Sequence, residues 1–152
     1  MFPRTLALML LLFPVALSSL NDITKKKLVN SAIQAREKSY SPYSKYQVGA
    51  AILTRSGEVY TGTNIENASY GLTMCAERSG VYSAVSQGNK ELDAIAIVTS
   101  NGGKPCGACL QVLSEFNKDI DIIIADNSGD VVQEMKLQDL LPQGYDAKML
   151  QG

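Results

Sequence analysis

Cys75-Ala76-Glu77 and Pro105-Cys106-Gly107-Ala108-Cys109 are the stretches of this chain whose residue types and spacing could do chemistry. They hold all three of its cysteines, and its 152 residues include no histidine. Each stretch runs into a helix-like segment, Ala76 to Val85 and Gly107 to Phe116. A cysteine at a helix start faces the positive end of the macrodipole, which favours thiolate over thiol. Cys106 and Cys109 are three apart, so on a first helical turn they share a face. That spacing suits two ligands of one tetrahedral zinc, with Cys75 as the third. No fourth protein ligand is evident, and three ligands with an open position is the catalytic arrangement of zinc. Glu77, two residues after Cys75, is a carboxylate able to take a proton from water at such a centre and deliver it elsewhere. Three thiolates around a divalent zinc leave a formal charge of about −1. Arg78, helped by the two helix N-termini, is the residue placed to offset it, against a plainer role as a surface ion pair.

Other readings of the cysteines stay open at this point. Cys-x-x-Cys alone fits a thioredoxin-like redox pair, two buried thiols or a purely structural zinc. The redox reading leaves Cys75 and Glu77 unexplained. Three cysteines are the wrong number for a disulfide framework. The lack of histidine excludes Ser-His-Asp, Cys-His and His-ligated metal schemes. A formal net charge of −1 gives no electrostatic footprint for nucleic acid. With 45% hydrophobic and 19% charged residues, the composition is that of a globular domain with a real core.

The elements that must position these residues are read from patterning. Residues 1–20 stand apart: Arg4 precedes an apolar run from Leu6 to Leu17, and Ala16-Leu17-Ser18 offers small residues for cleavage. This is signal-like, too short for a comfortable membrane span, and the alternative is an extra apolar extension. Residues 21–152 read as a single domain. Asn21 or Asp22 caps a helix with apolar positions Ile23, Leu28, Val29, Ala32, Ile33 and Ala35. Pro42 stops it. Tyr46 to Leu53 and Val59 to Thr63 form a hairpin about Ser56-Gly57. Asn64-Ile65-Glu66-Asn67 follows, where alternation puts Asn64 and Glu66 on one side of an extended backbone, either facing sugar hydroxyls or merely in a polar loop. Ala94 to Val98, Ile120 to Ala125 and Val131 to Met135 are further strands, and Leu137 to Leu141 a short helix before Pro142. Strands alternating with helices after one hairpin predict a layered α/β domain with a mostly parallel sheet and a site beyond the strands' carboxyl ends.

From about Ile23 to Tyr145 the chain resembles the small, homotetrameric cytidine deaminases. The matching stretches are Tyr40 to Ala51, Asn64 to Tyr70, Cys75-Ala76-Glu77-Arg78, Pro105 to Cys109 and Leu140-Leu141-Pro142. A ligand-x-Glu followed by Pro-Cys-x-x-Cys is also the signature of zinc deaminases at large. The resemblance implies a three-layer α/β/α sandwich around a five-stranded mixed sheet. It implies hydrolysis of cytidine and 2′-deoxycytidine to the uridines plus ammonia, in pyrimidine salvage, with one Zn2+ per chain on Cys75, Cys106 and Cys109. Glu77 would shuttle the proton. Asn64 and Glu66 would bind the ribose, with Tyr46 and Ala76 lining the base site. Tyr70 and Tyr145 would act across subunit interfaces in a tetramer with shared active sites. The partners implied are a small nucleoside and copies of the chain, with no nucleic acid and no stable membrane association. The cytoplasm is the implied compartment, and secretion through residues 1–18 the alternative. Tyr46 and Tyr145 stand where the family usually has Phe, and Leu110 where it often has Arg.

Overall fold

The computed structural model of the chain describes residues 20–150. The signal-like stretch lies almost wholly outside them. The first helix, α1 (Asp22–Arg36), is capped by Asn21, whose Oδ1 accepts from the Thr24 N–H at 2.8 Å. The hairpin is β1 (Gly49–Thr54) and β2 (Val59–Thr63). Then come α2 (Ala76–Ser86), β3 (Leu92–Val98), α3 (Gly107–Phe116), β4 (Asp121–Ala125), β5 (Val131–Lys136) and α4 (Leu137–Leu140). Short 3-10 turns at Tyr70–Leu72 and Ala147–Leu150 complete the described elements.

The five strands form one sheet in the order β2-β1-β3-β4-β5. It is mixed, and the mostly parallel sheet predicted from patterning is corrected. Only β3 and β4 pair in parallel; β1·β2, β1·β3 and β4·β5 are antiparallel. The crossovers that patterning detected are nonetheless there. β2 and β3 run the same way but flank β1, so α2 carries the chain over an intervening hairpin strand. β2, β3 and β4 therefore point their carboxyl ends to one edge, and α2 and α3 both start there.

Alternation along the strands divides the core. Ala50, Ile52, Ile95, Ile97, Ile122 and Ile124 face α2, α3 and α4, where Val81, Ala84, Leu113 and Leu137 meet them. Ala51, Ala94, Ala96, Val98, Ile123 and Ala125 face α1, against Leu28, Val29 and Ala32. This makes the α/β/α sandwich. β3 and β4 are buried on both faces, which is why they read as unbroken apolar runs.

Two glycines set how closely the helices approach. A Cβ on Gly49 would lie 2.0 Å from the Ala32 carbonyl oxygen, so α1 rests on bare strand backbone. A Cβ on Gly62 would lie 2.2 Å from the Gly80 nitrogen and 2.3 Å from the Ala76 oxygen. The second contact fixes the first turns of α2, with Cys75, Ala76 and Glu77, against the sheet. Among the described residues no helix is long and apolar enough to cross a membrane.

Candidate metal centre and active site

Cys75 and Cys106 are the N-cap residues of α2 and α3, both in extended backbone, and neither side chain caps its own helix. The sulfurs are thus free to turn toward each other. Cys109, one turn into α3, is fully buried. The three Sγ atoms lie within 4.8 Å of one another, and those of Cys106 and Cys109 are 3.6 Å apart. Sulfurs at about 2.3 Å from one tetrahedral zinc stand about 3.8 Å from each other. The spacing and the soft, all-thiolate donor set fit zinc. Among the described residues no other three such side chains gather in this way.

The charge around the sulfurs is arranged to suit. Arg78 Nη2 donates to Cys75 Sγ at 3.3 Å, and its Nε is buried without a hydrogen-bond partner. A guanidinium facing sulfur in this way favours anionic thiolate. The Cys75 thiol is drawn down to about 5, chiefly by the hydrogen bond from Cys109, with Arg78 adding to it. Cys109, the donor of that bond, is pushed up by it and by burial.

A cavity of 280 Å³ opens beside the sulfurs. Small-molecule sites usually run from about 300 to 1,000 Å³, so this one suits a compact ligand. Tyr46, Asn64, Glu66, Cys75, Ala76, Glu77 and Cys106 all line it. The Asn-Ile-Glu segment is held to the residue before Cys75 by a pair of backbone hydrogen bonds between Ile65 and Met74, each 2.9 Å. On its other side Glu66 N–H donates to the Tyr40 carbonyl at 2.8 Å. Ile65 points outward, half-exposed, while Asn64 and Glu66 face the cavity.

Two carboxyls share this cavity, and their surroundings push them apart. Glu77 is 5% exposed, and burial holds its carboxyl above the ordinary value. Glu66 accepts from the Ser44 hydroxyl, which first of all holds it below its ordinary value, and from the N–H groups of Tyr43 and Ser44. A carboxyl raised toward neutral pH can trade protons; one already saturated by donors is fitted to binding. Asn64 is nearly as occupied. Its Oδ1 accepts from the Ser39 hydroxyl at 2.5 Å and from Val48 N–H at 2.9 Å, and its Nδ2 donates to the Tyr46 carbonyl at 2.8 Å.

Four residues predicted from the sequence lie off this lining, the buried Cys109 among them. Arg78 reaches the sulfurs from behind. Tyr70 is 75% exposed, and its ring meets that of Tyr43 edge-on, with centroids 5.9 Å apart. Tyr145 is exposed and clamped to α3 through Gln111, which exchanges two hydrogen bonds with its backbone. Leu110 is buried in the apolar core, so this position carries packing instead of charge. Ser44, Thr99 and Lys104 line the cavity and escaped sequence reasoning. A signal existed for Thr99: it is a polar residue ending a fully apolar strand, at the sheet edge where sites form. Nothing local marks Ser44, whose role depends on Glu66, 22 residues away.

A zinc-ready thiolate cluster at the carboxyl edge of a mixed α/β/α sheet, with a buried Glu beside it, defines the zinc deaminase class. Residues 22–125 match the family described as the cytidine and deoxycytidylate deaminase zinc-binding region. The chain is 46% identical over 127 residues to the cytidine deaminase of Halalkalibacterium halodurans, covering 82% of this chain and 96% of that one. It is 42% identical over 123 residues to the cytidine deaminase of Sporosarcina psychrophila, covering 79% and 90%. Its fold is similar to the crystal structure of cytidine deaminase from Burkholderia pseudomallei, with a TM-score of 0.74 at 44% identity, covering 78% of this chain and 97% of that one. The chain belongs to the zinc-dependent cytidine deaminase family.

Proposed function

We propose that this chain hydrolyses cytidine and 2′-deoxycytidine to uridine and 2′-deoxyuridine plus ammonia, as an enzyme of pyrimidine salvage, and that residues 21–152 are its catalytic domain. The observation that carries the reading is a three-sulfur cluster that meets one nucleoside-sized cavity through Cys75 and Cys106, with the buried Glu77 carboxyl and the Asn64–Glu66 pair on the same wall. Cys75, Cys106 and Cys109 would hold the zinc, which when bound supplies the Lewis acidity that lets water attack near neutral pH. Glu77 takes a proton from the attacking water and gives one to the ring nitrogen next to the amino-bearing carbon. It then takes the remaining proton from the added hydroxyl and gives it to the amine as the C–N bond breaks and the carbonyl forms, so that one water is consumed and one ammonia released. Arg78 offsets the thiolate charge from behind. Glu66 and Asn64 hold the ribose, chiefly its 3′-hydroxyl, and the Tyr46 ring packs on the base over Ala76.

Tyr70 and Tyr145 are exposed and lie off the cavity of their own chain. That supports their serving neighbouring sites in a homotetramer. The cytoplasm is the compartment that suits the site, because adjacent thiols persist where the redox poise is reducing.

The test is a spectroscopic deamination assay on cytidine, 2′-deoxycytidine and CMP, with zinc quantified and the assembly sized by light scattering. Turnover of both nucleosides but not CMP, at about one zinc per chain, is expected. Bound zinc with no turnover of any of the three would sink the assignment. Glu66→Ala should raise KM for the nucleosides about tenfold to a hundredfold, the loss of a hydrogen bond to a charged group, with zinc content unaltered. Unchanged kinetics would remove Glu66 from the sugar site.

A further inference from the structure

The proposed function uses the ring of Tyr46 and assigns nothing to its hydroxyl. That hydroxyl donates to Asn101 Oδ1 at 2.7 Å. The same oxygen accepts from the Thr99 hydroxyl at 3.4 Å, and Thr99 Oγ1 accepts from the Gly103 N–H at 2.6 Å. A continuous run of hydrogen bonds therefore leads from the cavity wall into the loop that connects β3 to α3 and delivers Cys106. Thr99, the hinge of this run, is 2% exposed. The hydroxyl also lies directly against the loop: a Cβ on Gly103 would be 2.4 Å from it.

The backbone of Tyr46 is fixed just as firmly. Its N–H donates to Ser44 Oγ at 3.0 Å, and its carbonyl accepts from Asn64 Nδ2 at 2.8 Å. Lys45, immediately before it, has φ +58, a left-handed conformation that a long side chain seldom adopts. Such a conformation persists where its surroundings over-determine it. Here Glu66, Ser44 and Asn64 do so from one side, and Asn101 with Thr99 from the other.

We propose that the Tyr46 hydroxyl, Asn101 and Thr99 form a positioning strap. It ties the base-facing ring to the loop between β3 and α3 and sets the affinity of the site for its nucleoside. The inference rests on the nucleoside reading above. It goes beyond that reading because a Phe at this position keeps the ring and loses the strap.

The experiment measures cytidine kinetics, zinc content and the exchange rate of the Gly103 amide in the full chain, in Tyr46→Phe, in Asn101→Ala and in the double variant. Each single variant should raise KM about fivefold, as for one neutral hydrogen bond. Zinc content should hold, and kcat should stay within about twofold. The double variant should be no worse than either single, because the same link is broken once. Gly103 amide exchange should quicken in all three. Additive losses, a fall in kcat matching the rise in KM, or unaltered Gly103 exchange would each overturn the strap. If the unmodified chain fails to deaminate cytidine, the functional reading fails instead, and Gly103 exchange alone decides for or against the strap.

Discussion

Glu77→Gln is expected to keep its zinc and its fold and to lose about a thousandfold in kcat, in the middle of the range for a lost general acid–base group. The side chains are nearly isosteric, so the wall of the cavity and the first turn of α2 keep their packing. What changes is proton capacity. A glutamine can accept or donate a hydrogen bond but cannot take a proton from water and release it to a ring nitrogen. Position reinforces the point. Glu77 is buried beside Cys75, with its carboxyl raised by that burial, while Glu66 is already engaged by Ser44 and the Tyr43 N–H. The proposed function accordingly gives the proton transfers to Glu77 and the sugar contact to Glu66. The check is kcat by the loss of cytidine absorbance alongside zinc by mass spectrometry. A variant within tenfold of the parent would clear Glu77 of the role and make Glu66 the next carboxyl to substitute.

Much of this arrangement is legible in the sequence. The ends of β2 and α3 fall where patterning puts them, and the cap at Asn21 forms as its amide side chain allows. Patterning starts β1 at Tyr46, and the strand begins at Gly49. The reason is tertiary: residues 46–48 are drawn to Asn64 and Ser44 by side-chain hydrogen bonds and do not join the ladder. Patterning predicts a mostly parallel sheet because alternating strands and helices carry no mark of an antiparallel strand inserted under a crossover. β1 is that strand. The cysteines and Glu77 were legible because metal chemistry restricts residue type and spacing so tightly. The polar residues that brace the site were not. Ser44 and Asn101 draw their meaning from partners 22 and 55 positions away. No local pattern encodes a pairing of that range.

Cys106→Ala should abolish zinc binding and turnover while leaving the sandwich standing. Two sulfurs, Cys75 and Cys109, would remain, and a soft centre built for three thiolates loses a charged ligand along with its geometry. Zinc in the purified variant should fall to roughly one-tenth of a metal per chain or less, since affinity depends on the complete deprotonated set. Activity should fall at least as far as in Glu77→Gln. The fold has separate support. Neither core cluster includes Cys106, which sits exposed at the head of α3. Far-UV circular dichroism should therefore match the parent. The melting temperature should drop by the share of stability that bound metal contributes through linkage. Cys109→Ala makes the instructive contrast. That side chain is fully buried, so its removal costs packing as well as metal, and the variant should melt lower still. Chelation of the unmodified chain should reproduce the activity loss of Cys106→Ala, and added zinc should restore the chain but not the variant. A Cys106→Ala protein that carries a full complement of zinc and turns over cytidine would strike Cys106 from the ligand set. The third sulfur would then have no assigned work, and an oxygen ligand such as Glu77 would have to be sought in its place.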